Sequence, residues 1–278
     1  MHRILRIILY VIPFCIPLFT LDIKSGDYLS AVVFVFSVLS GFFLAAATSN
    51  YLRLQTLISQ EDSLIVSLIR LAKKVNSKRF SAVANKIDAY VVAILDFDLL
   101  GYAEKTKKEF YEMIDAIDSL KADTNSGESY LSTLHSEKNK LLQVNGEMIL
   151  TTKTVVTPLH WFIIIVFAVL TAVLVLELRS ENWISIFISG FLVIGILEVL
   201  ELIYVIDSNK FLADKIAYQA PQVIFQHLGR PNYYPETAIK DGTVKNPPPT
   251  YRLGKYLNYP DTLDKKIVTI STTKSKRR

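Results

Sequence analysis

The chain has 278 residues, of which 51% are hydrophobic and 21% are charged, and its mean hydropathy is +0.31. This combination is typical of a membrane protein with water-facing parts and argues against a soluble enzyme. The formal net charge is +5, and the placement of those charges is more informative than their sum. The single cysteine, Cys15, excludes an internal disulfide, and the four histidines are too scattered for a metal-ligand pattern.

The first candidate membrane segment is residues 1–21, which begin with two arginines and continue with 15 uncharged residues. A cleaved signal peptide has the same basic start and short apolar stretch. However, the end of this segment lacks a small-residue cleavage site, and it contains Pro13 and Pro17. We therefore favour a retained, kinked first span over a cleaved signal, followed by a tight outer turn at residues 22–27.

The second segment is the strongest feature of the chain. From Tyr28 to Leu52 there are 25 residues without a charge, which is enough to cross a bilayer as a helix. No proline or turn cluster follows, and apolar residues continue at helical spacing on one side as far as Val75. The pattern predicts one long helix, or two helices end to end, that leaves the membrane and opens a water-facing helical bundle.

The bundle is predicted to continue to Lys153, because helical spacing recurs and no proline interrupts it. Clusters of Asn, Ser and Gly predict breaks at residues 76–79, around Gly101 and at residues 124–129. Three or four cytoplasmic helices follow from these breaks.

Two more membrane spans are predicted after the bundle. Residues 154–176 are uncharged, and a fourth apolar segment runs from Trp183 to Ile206 after a short outer turn. Both tryptophans lie near the start of a span, where interfacial aromatic residues are common.

The last 70 residues have a different composition. Seven of the ten prolines follow residue 220, among many tyrosines, and the chain ends in a basic cluster. Such a composition predicts extended or loop-rich chain, with one strand at residues 266–272.

The predicted fold is therefore an all-α membrane protein with four transmembrane helices, a helical cytoplasmic insertion and a Pro/Tyr-rich C-terminal tail. Its predicted parts are a first transmembrane hairpin, a cytoplasmic helical domain, a second transmembrane hairpin and a cytoplasmic tail: residues 1–48, 49–153, 154–206 and 207–278.

The distribution of basic residues predicts the orientation. Of the 31 lysines and arginines, 29 lie in the proposed inner segments, and only Lys24 and Arg179 lie in the proposed outer turns. The positive-inside rule then places both chain ends in the cytoplasm of a protein of the inner (plasma) membrane.

No catalytic pattern is present in the sequence, which lacks a Gly-rich phosphate loop, an HExxH motif, a Gly-x-Ser-x-Gly motif and paired cysteines. We predict no enzymatic activity, no cofactor, no metal and no nucleic-acid partner.

Two carboxylates in the fourth span are candidate functional residues. Glu198 and Glu201 are three residues apart and so share one helix face. Glu198 is 15 residues beyond Trp183, roughly 22 Å along a helix and therefore nearer the inner surface than the midplane. Carboxylates in a membrane segment face protein or water. They either pair with a basic residue of the bundle or take part in conduction or proton sensing.

A stripe of residues on the second span is the other candidate site. Phe34, Val38, Phe42 and Ala45 follow helical spacing, and Gly41 beside them allows a close backbone approach. Ordinary helix packing accounts for such a stripe in a single chain. In a symmetric oligomer the same stripe would form an apolar constriction, which gates by wetting and drying.

The sequence around this stripe resembles the second membrane helix of bestrophins, in the stretch FSVLSGFFLAAATSNYLRLQTLI (36–58). The following QEDSLIVSLIRLAKKV and NKIDAYVVAILDFD resemble a bacterial bestrophin-like family of unknown function. The exit of the fourth span, LIYVIDSNKF (202–211), is similar to the Asp-x-Pro-Phe ending of that family, with Asn209-Lys210 replacing the middle. The resemblance covers about residues 28–212.

This resemblance implies a pentameric anion channel with four membrane helices per subunit, the second of which lines an apolar neck. Val38, Gly41, Phe42 and Ala45 would then be neck residues, and the partners would be the lipid bilayer, further copies of the chain and small anions. The sequence departs from bestrophins by reducing an aromatic pair to Tyr51 and by lacking an acidic calcium-binding run. The alternative is a non-conducting scaffold or signalling protein whose cytoplasmic helices bind a partner or anionic lipid.

Overall fold

A computed structural model describes residues 10–16, 25–96, 102–153, 155–208, 218, 221–257 and 264–271. The described helices, in chain order, are α1 (Ser25–Val75), α2 (Phe80–Asp96), α3 (Tyr102–Lys105), α4 (Lys107–Asp118), α5 (Asn125–Thr151), α6 (Pro158–Glu177), α7 (Trp183–Asp207), α8 (Gln222–His227) and α9 (Glu236–Lys240). The strands are β1 (Asn232–Pro235), β2 (Thr250–Tyr256) and β3 (Lys265–Ser271). The chain forms two compact units: a membrane unit of Met1–Tyr51 with Thr154–Ser208, and a bundle unit of Leu52–Lys153 with Asn209–Arg278.

Three of the described helices, α1, α6 and α7, are long and apolar enough to cross a membrane. They confirm the second, third and fourth predicted spans, and α1 is one continuous helix rather than two. Of the first predicted span, residues 10–15 are helical, and most of the remainder lies outside the described residues.

Each membrane helix of the second hairpin begins at a polar cap. Thr157 precedes α6 and accepts a hydrogen bond from the backbone of His160, and Pro158 occupies the first turn. Asn182 precedes α7, and its side chain accepts from the backbone N–H of Ile184 at 3.0 Å. These caps satisfy backbone donors that a helix start leaves free.

The core of the bundle unit is apolar and closely packed. Its fully buried large side chains come from four helices and from the tail: Ile65, Leu68, Ile87, Tyr90, Phe110, Met113, Ile117, Leu134, Phe225 and Tyr233. The predicted break at residues 76–79 is confirmed, because α1 ends at Val75 and α2 begins at Phe80. Asn76 holds this corner by donating to the carbonyl of Lys121 and accepting from the backbone of Arg79, both at 2.9 Å.

The predicted break at residues 124–129 is wrong by about one helical turn. The chain breaks before Thr124, whose side chain accepts from the backbone of Gly127 at 3.0 Å, and α5 begins at Asn125. The Asn, Ser and Gly residues therefore form the first turn of a capped helix. Asn, Ser and Gly are common both in loops and at helix starts, so composition alone does not distinguish the two.

The tail corrects the prediction of an all-α fold. The predicted strand at 266–272 exists as β3, but it pairs antiparallel with β2, which pairs parallel with β1. Asp96 at the end of α2 accepts hydrogen bonds from the hydroxyls of Tyr233 (2.6 Å) and Tyr256 (2.8 Å) and pairs with Lys265. Two tyrosines of the tail thus help to fasten its sheet to the bundle.

We expect Gly254→Ala to lower the stability of the bundle unit by about 1–3 kcal/mol, as overpacking typically does. A Cβ atom at this position of β2 would lie 2.8 Å from the ring Cζ of Tyr233 and closer still to its hydroxyl. Tyr233 is fully buried and held by Asp96, so it has no room to move.

Thermal unfolding of the purified protein measures this loss. Gly146→Ala in α5 is the matched control, because nothing lies within 4 Å of the added methyl group there. An equal effect of the two substitutions would contradict the packing argument.

Candidate functional site

The predicted stripe lies on an exposed face of the membrane half of α1. Phe34, Val38 and Phe42 are 68%, 54% and 66% exposed, and Gly41 and Ala45 are exposed beside them. A methyl group added at Gly41 would meet no described atom within 4 Å, so the space beside this residue is open. Large apolar side chains exposed on a membrane helix face lipid, another subunit or a pore.

The opposite face of α1 carries the packing of the membrane unit. Phe36 and Phe43 are buried, and because successive residues of a helix are about 100° apart, both point away from Phe34. The ring of Phe43 still meets that of Phe42 edge to face, with 5.5 Å between the ring centroids. Phe36 and Phe43 belong to one buried cluster with residues at the start of α6, within α6 and in α7: Val156, Ile164, Ala168 and Ile203. Within the described residues, the stripe therefore lies on the face of α1 that is not buried against α6 and α7.

The two predicted carboxylates lie near the end of α7. Glu198 is exposed and accepts a hydrogen bond from the hydroxyl of Tyr10, and Glu201 is half-buried. The contact with Tyr10 fastens the helical residues 10–15 to α7. A role of Glu198 and Glu201 in conduction or proton sensing stays a prediction.

Asp207, the last residue of α7, belongs to the 202–211 stretch that resembles the family ending, but the sequence did not predict its role as an anchor. Its buried carboxylate accepts from the backbone of Val155 at 2.8 Å and of Val156 at 3.1 Å. These bonds hold the chain that enters α6 against the end of α7. The sequence shows an acidic residue at the end of an apolar helix. This pattern is not specific, because acidic residues also end helices where they make no such contact.

In the bundle unit, α1 and α5 border an open groove of about 440 Å³, whose lining includes the apolar Leu64 and Val144 beside several polar side chains. Its lining includes two hydroxyls, two amides, a cation and a carboxylate: Ser59, Ser63, Gln60, Gln143, Lys140 and Glu147. Arg53 pairs with Glu147 at 3.1 Å.

Two adjacent acidic residues of α1 lie close to this groove along the chain. Glu61 is buried and accepts from the hydroxyl of Tyr90 at 2.6 Å. Burial, with a smaller contribution from the charge of Glu61, raises the pKa of Asp62 to about 7. Asp62 therefore exchanges its proton near neutral pH, which an exposed aspartate does not.

The described residues contain no cluster of three or more His, Cys, Asp or Glu side chains able to hold a metal ion. Cys15 is exposed in the membrane unit as a free thiol.

Comparison with known proteins identifies the family. The Bestrophin-like domain matches residues 25–209, and no curated protein matches the chain. Two crystal structures of a membrane protein, each carrying one alanine substitution, have the same fold. One has a TM-score of 0.60 at 14% identity and the other 0.59 at 13%, and each alignment covers 82% of this chain and 97% of the other. Since the domain match spans more than half of the chain, this protein is a member of the bestrophin-like family of membrane proteins.

Proposed function

We propose that the protein is a homo-oligomeric ion channel, selective for anions, in which the stripe on α1 forms an apolar neck around the symmetry axis. The supporting observation is that Phe34, Val38 and Phe42 are exposed while the other face of the same helix is buried. Several copies would bring these side chains together, and an apolar ring of this kind gates by dewetting.

The small residues of the stripe support the same arrangement. Gly41 and Ala45 are exposed, and the described chain leaves the space beside Gly41 open. Small side chains let neighbouring membrane helices approach closely or leave width in a pore. A pentamer is the assembly that the bestrophin resemblance implies.

The preference for anions is supported by charge. The chain after residue 206 carries 13 lysines and arginines against 6 aspartates and glutamates. With both chain ends in the cytoplasm, this excess would concentrate small anions at the inner mouth. Residues 49–153 carry equal numbers of basic and acidic residues, so the excess positive charge of the cytoplasmic side comes from the tail.

Flux from liposomes tests this function. We expect the purified oligomer, at a subunit number fixed by mass measurement with detergent subtracted, to release chloride above the rate of empty vesicles. Phe42→Ala should raise that flux several-fold, because a smaller side chain widens and wets the neck.

Phe162→Ala is the matched control, since Phe162 on α6 has the same 66% exposure as Phe42 but lies outside the stripe. Equal effects of the two variants would reject the neck. Confirmed oligomers that pass neither chloride nor cations would reject the channel. The alternative, a non-conducting scaffold, would then be favoured by a monomeric or dimeric membrane part with a partner recovered by cross-linking.

A further inference from the structure

A crevice of about 350 Å³ lies in the membrane unit where α6 turns into α7. Its walls are mostly apolar and include Leu29 of α1, Val175 of α6, and Ile188 and Leu192 of α7. Ile188 and Leu192 are 57% and 53% exposed, so the crevice opens onto the exposed apolar surface of the membrane unit. An acyl chain of the bilayer has direct access to it.

One cation lies in this apolar wall. Arg179 is only 8% exposed, and its guanidinium donates to the backbone carbonyls of Pro13 (3.2 Å) and Ile16. Among the described residues, its buried Nε has no hydrogen-bond partner, and no carboxylate forms an ion pair with the guanidinium. A buried charge with no counter-charge in the part of the chain that the structure describes favours the binding of an anion.

The start of α7 adds to the positive potential. This 25-residue helix begins at Trp183, directly after Asn182, which also lines the crevice. Ser185 is a further polar group of the lining, and its hydroxyl accepts from the backbone of Ser180 at 3.0 Å. The positive end of the α7 dipole and the Arg179 guanidinium thus act at the same apolar crevice.

We propose that this crevice binds an anionic phospholipid of the bilayer, with its phosphate on Arg179 and an acyl chain along Ile188 and Leu192. A planar guanidinium matches the oxygens of a phosphate, and each of its two terminal nitrogens carries a second N–H besides the one that donates to residue 13 or 16. The volume is within the range of small-molecule sites. The opening toward lipid favours a bilayer phospholipid over a water-borne ligand.

Native mass spectrometry of the full-length protein in detergent measures the binding of added phosphatidylglycerol, phosphatidylcholine and oleate. We expect phosphatidylglycerol to bind more tightly than phosphatidylcholine. Arg179→Gln should weaken its binding by about tenfold, the effect of one hydrogen bond to a charged group.

Arg179 also donates to the carbonyls of residues 13 and 16, so its replacement could disturb the fold as well as the binding. A second variant therefore keeps the guanidinium and changes the apolar wall. Leu192→Trp fills the mouth of the crevice and should weaken phosphatidylglycerol binding as well. Arg70→Gln, which removes an exposed arginine from the bundle half of α1, is the control and should bind like the wild type.

Three results would overturn the proposal. They are equal binding of phosphatidylglycerol and phosphatidylcholine, unchanged binding in both Arg179→Gln and Leu192→Trp, or Arg179-dependent binding of oleate alone. The last would assign the crevice to a free fatty acid instead. None of these outcomes depends on chloride flux.

Discussion

Replacing Asp88 by asparagine is expected to release the C-terminal sheet from the bundle and to destabilise the bundle unit by about 3–5 kcal/mol. The carboxylate of Asp88 accepts from two nitrogens of Arg252, at 2.8 and 2.9 Å, and pairs with Arg230 at 2.7 Å. Its side chain is 12% exposed, as is that of Arg252. Asparagine keeps the size of the side chain but leaves two guanidinium groups without their shared counter-charge.

Two measurements check this result: the unfolding temperature of the purified protein and the rate of proteolysis within residues 231–257. In Asp88→Asn the unfolding temperature should fall and the proteolysis rate should rise. Glu112→Gln is the matched control, since Glu112 forms a 2.7 Å pair with Lys86 of the same helix as Asp88, α2, but on an exposed surface. Exposed pairs contribute little, so this variant should behave like the wild type. A similar loss in both variants, or in neither, would refute the role assigned to Asp88.

Asp62→Asn is expected to stabilise the protein at pH 8 and to flatten its dependence on pH. Burial raises the pKa of Asp62 from 3.8 to about 7. Between these values the folded chain binds more protons than the unfolded chain, so stability falls as pH rises from about 4 to about 7. Each pKa unit corresponds to about 1.4 kcal/mol, so the ionised carboxylate lowers stability by up to about 4 kcal/mol above pH 7.

Unfolding temperatures at pH 5 and pH 8 measure this effect. The wild type should lose stability between the two values because of Asp62, and Asp62→Asn should lose less. Glu61 and Tyr90 remain in both proteins, so the difference isolates the substituted group. Asp115→Asn, at an exposed position of α4, is the control. A wild type and an Asp62→Asn variant with the same pH profile would contradict the raised pKa.

The neck candidates show how far sequence reasoning reaches. The spacing of Phe34, Val38 and Phe42 predicts that they share a helix face, because spacing along a helix determines direction. Whether that face is packed or exposed depends on which other helices contact α1, and the buried cluster around Phe36 and Phe43 decided it. Which face of α1 is exposed is therefore determined by the packing of the whole membrane unit.

What the sequence determined by itself is local. The apolar segments of α1, α6 and α7 follow from the hydropathy of consecutive residues, and the corner at Asn76 follows from a short polar cluster, because both are set by neighbours along the chain. Only the tertiary structure decided the partners of Asp88 and Arg252, which are 164 residues apart, and the burial of Arg179 beneath residues 13 and 16. A charged residue has the same signature in a sequence whether it is solvated or buried, since its environment is built by distant segments.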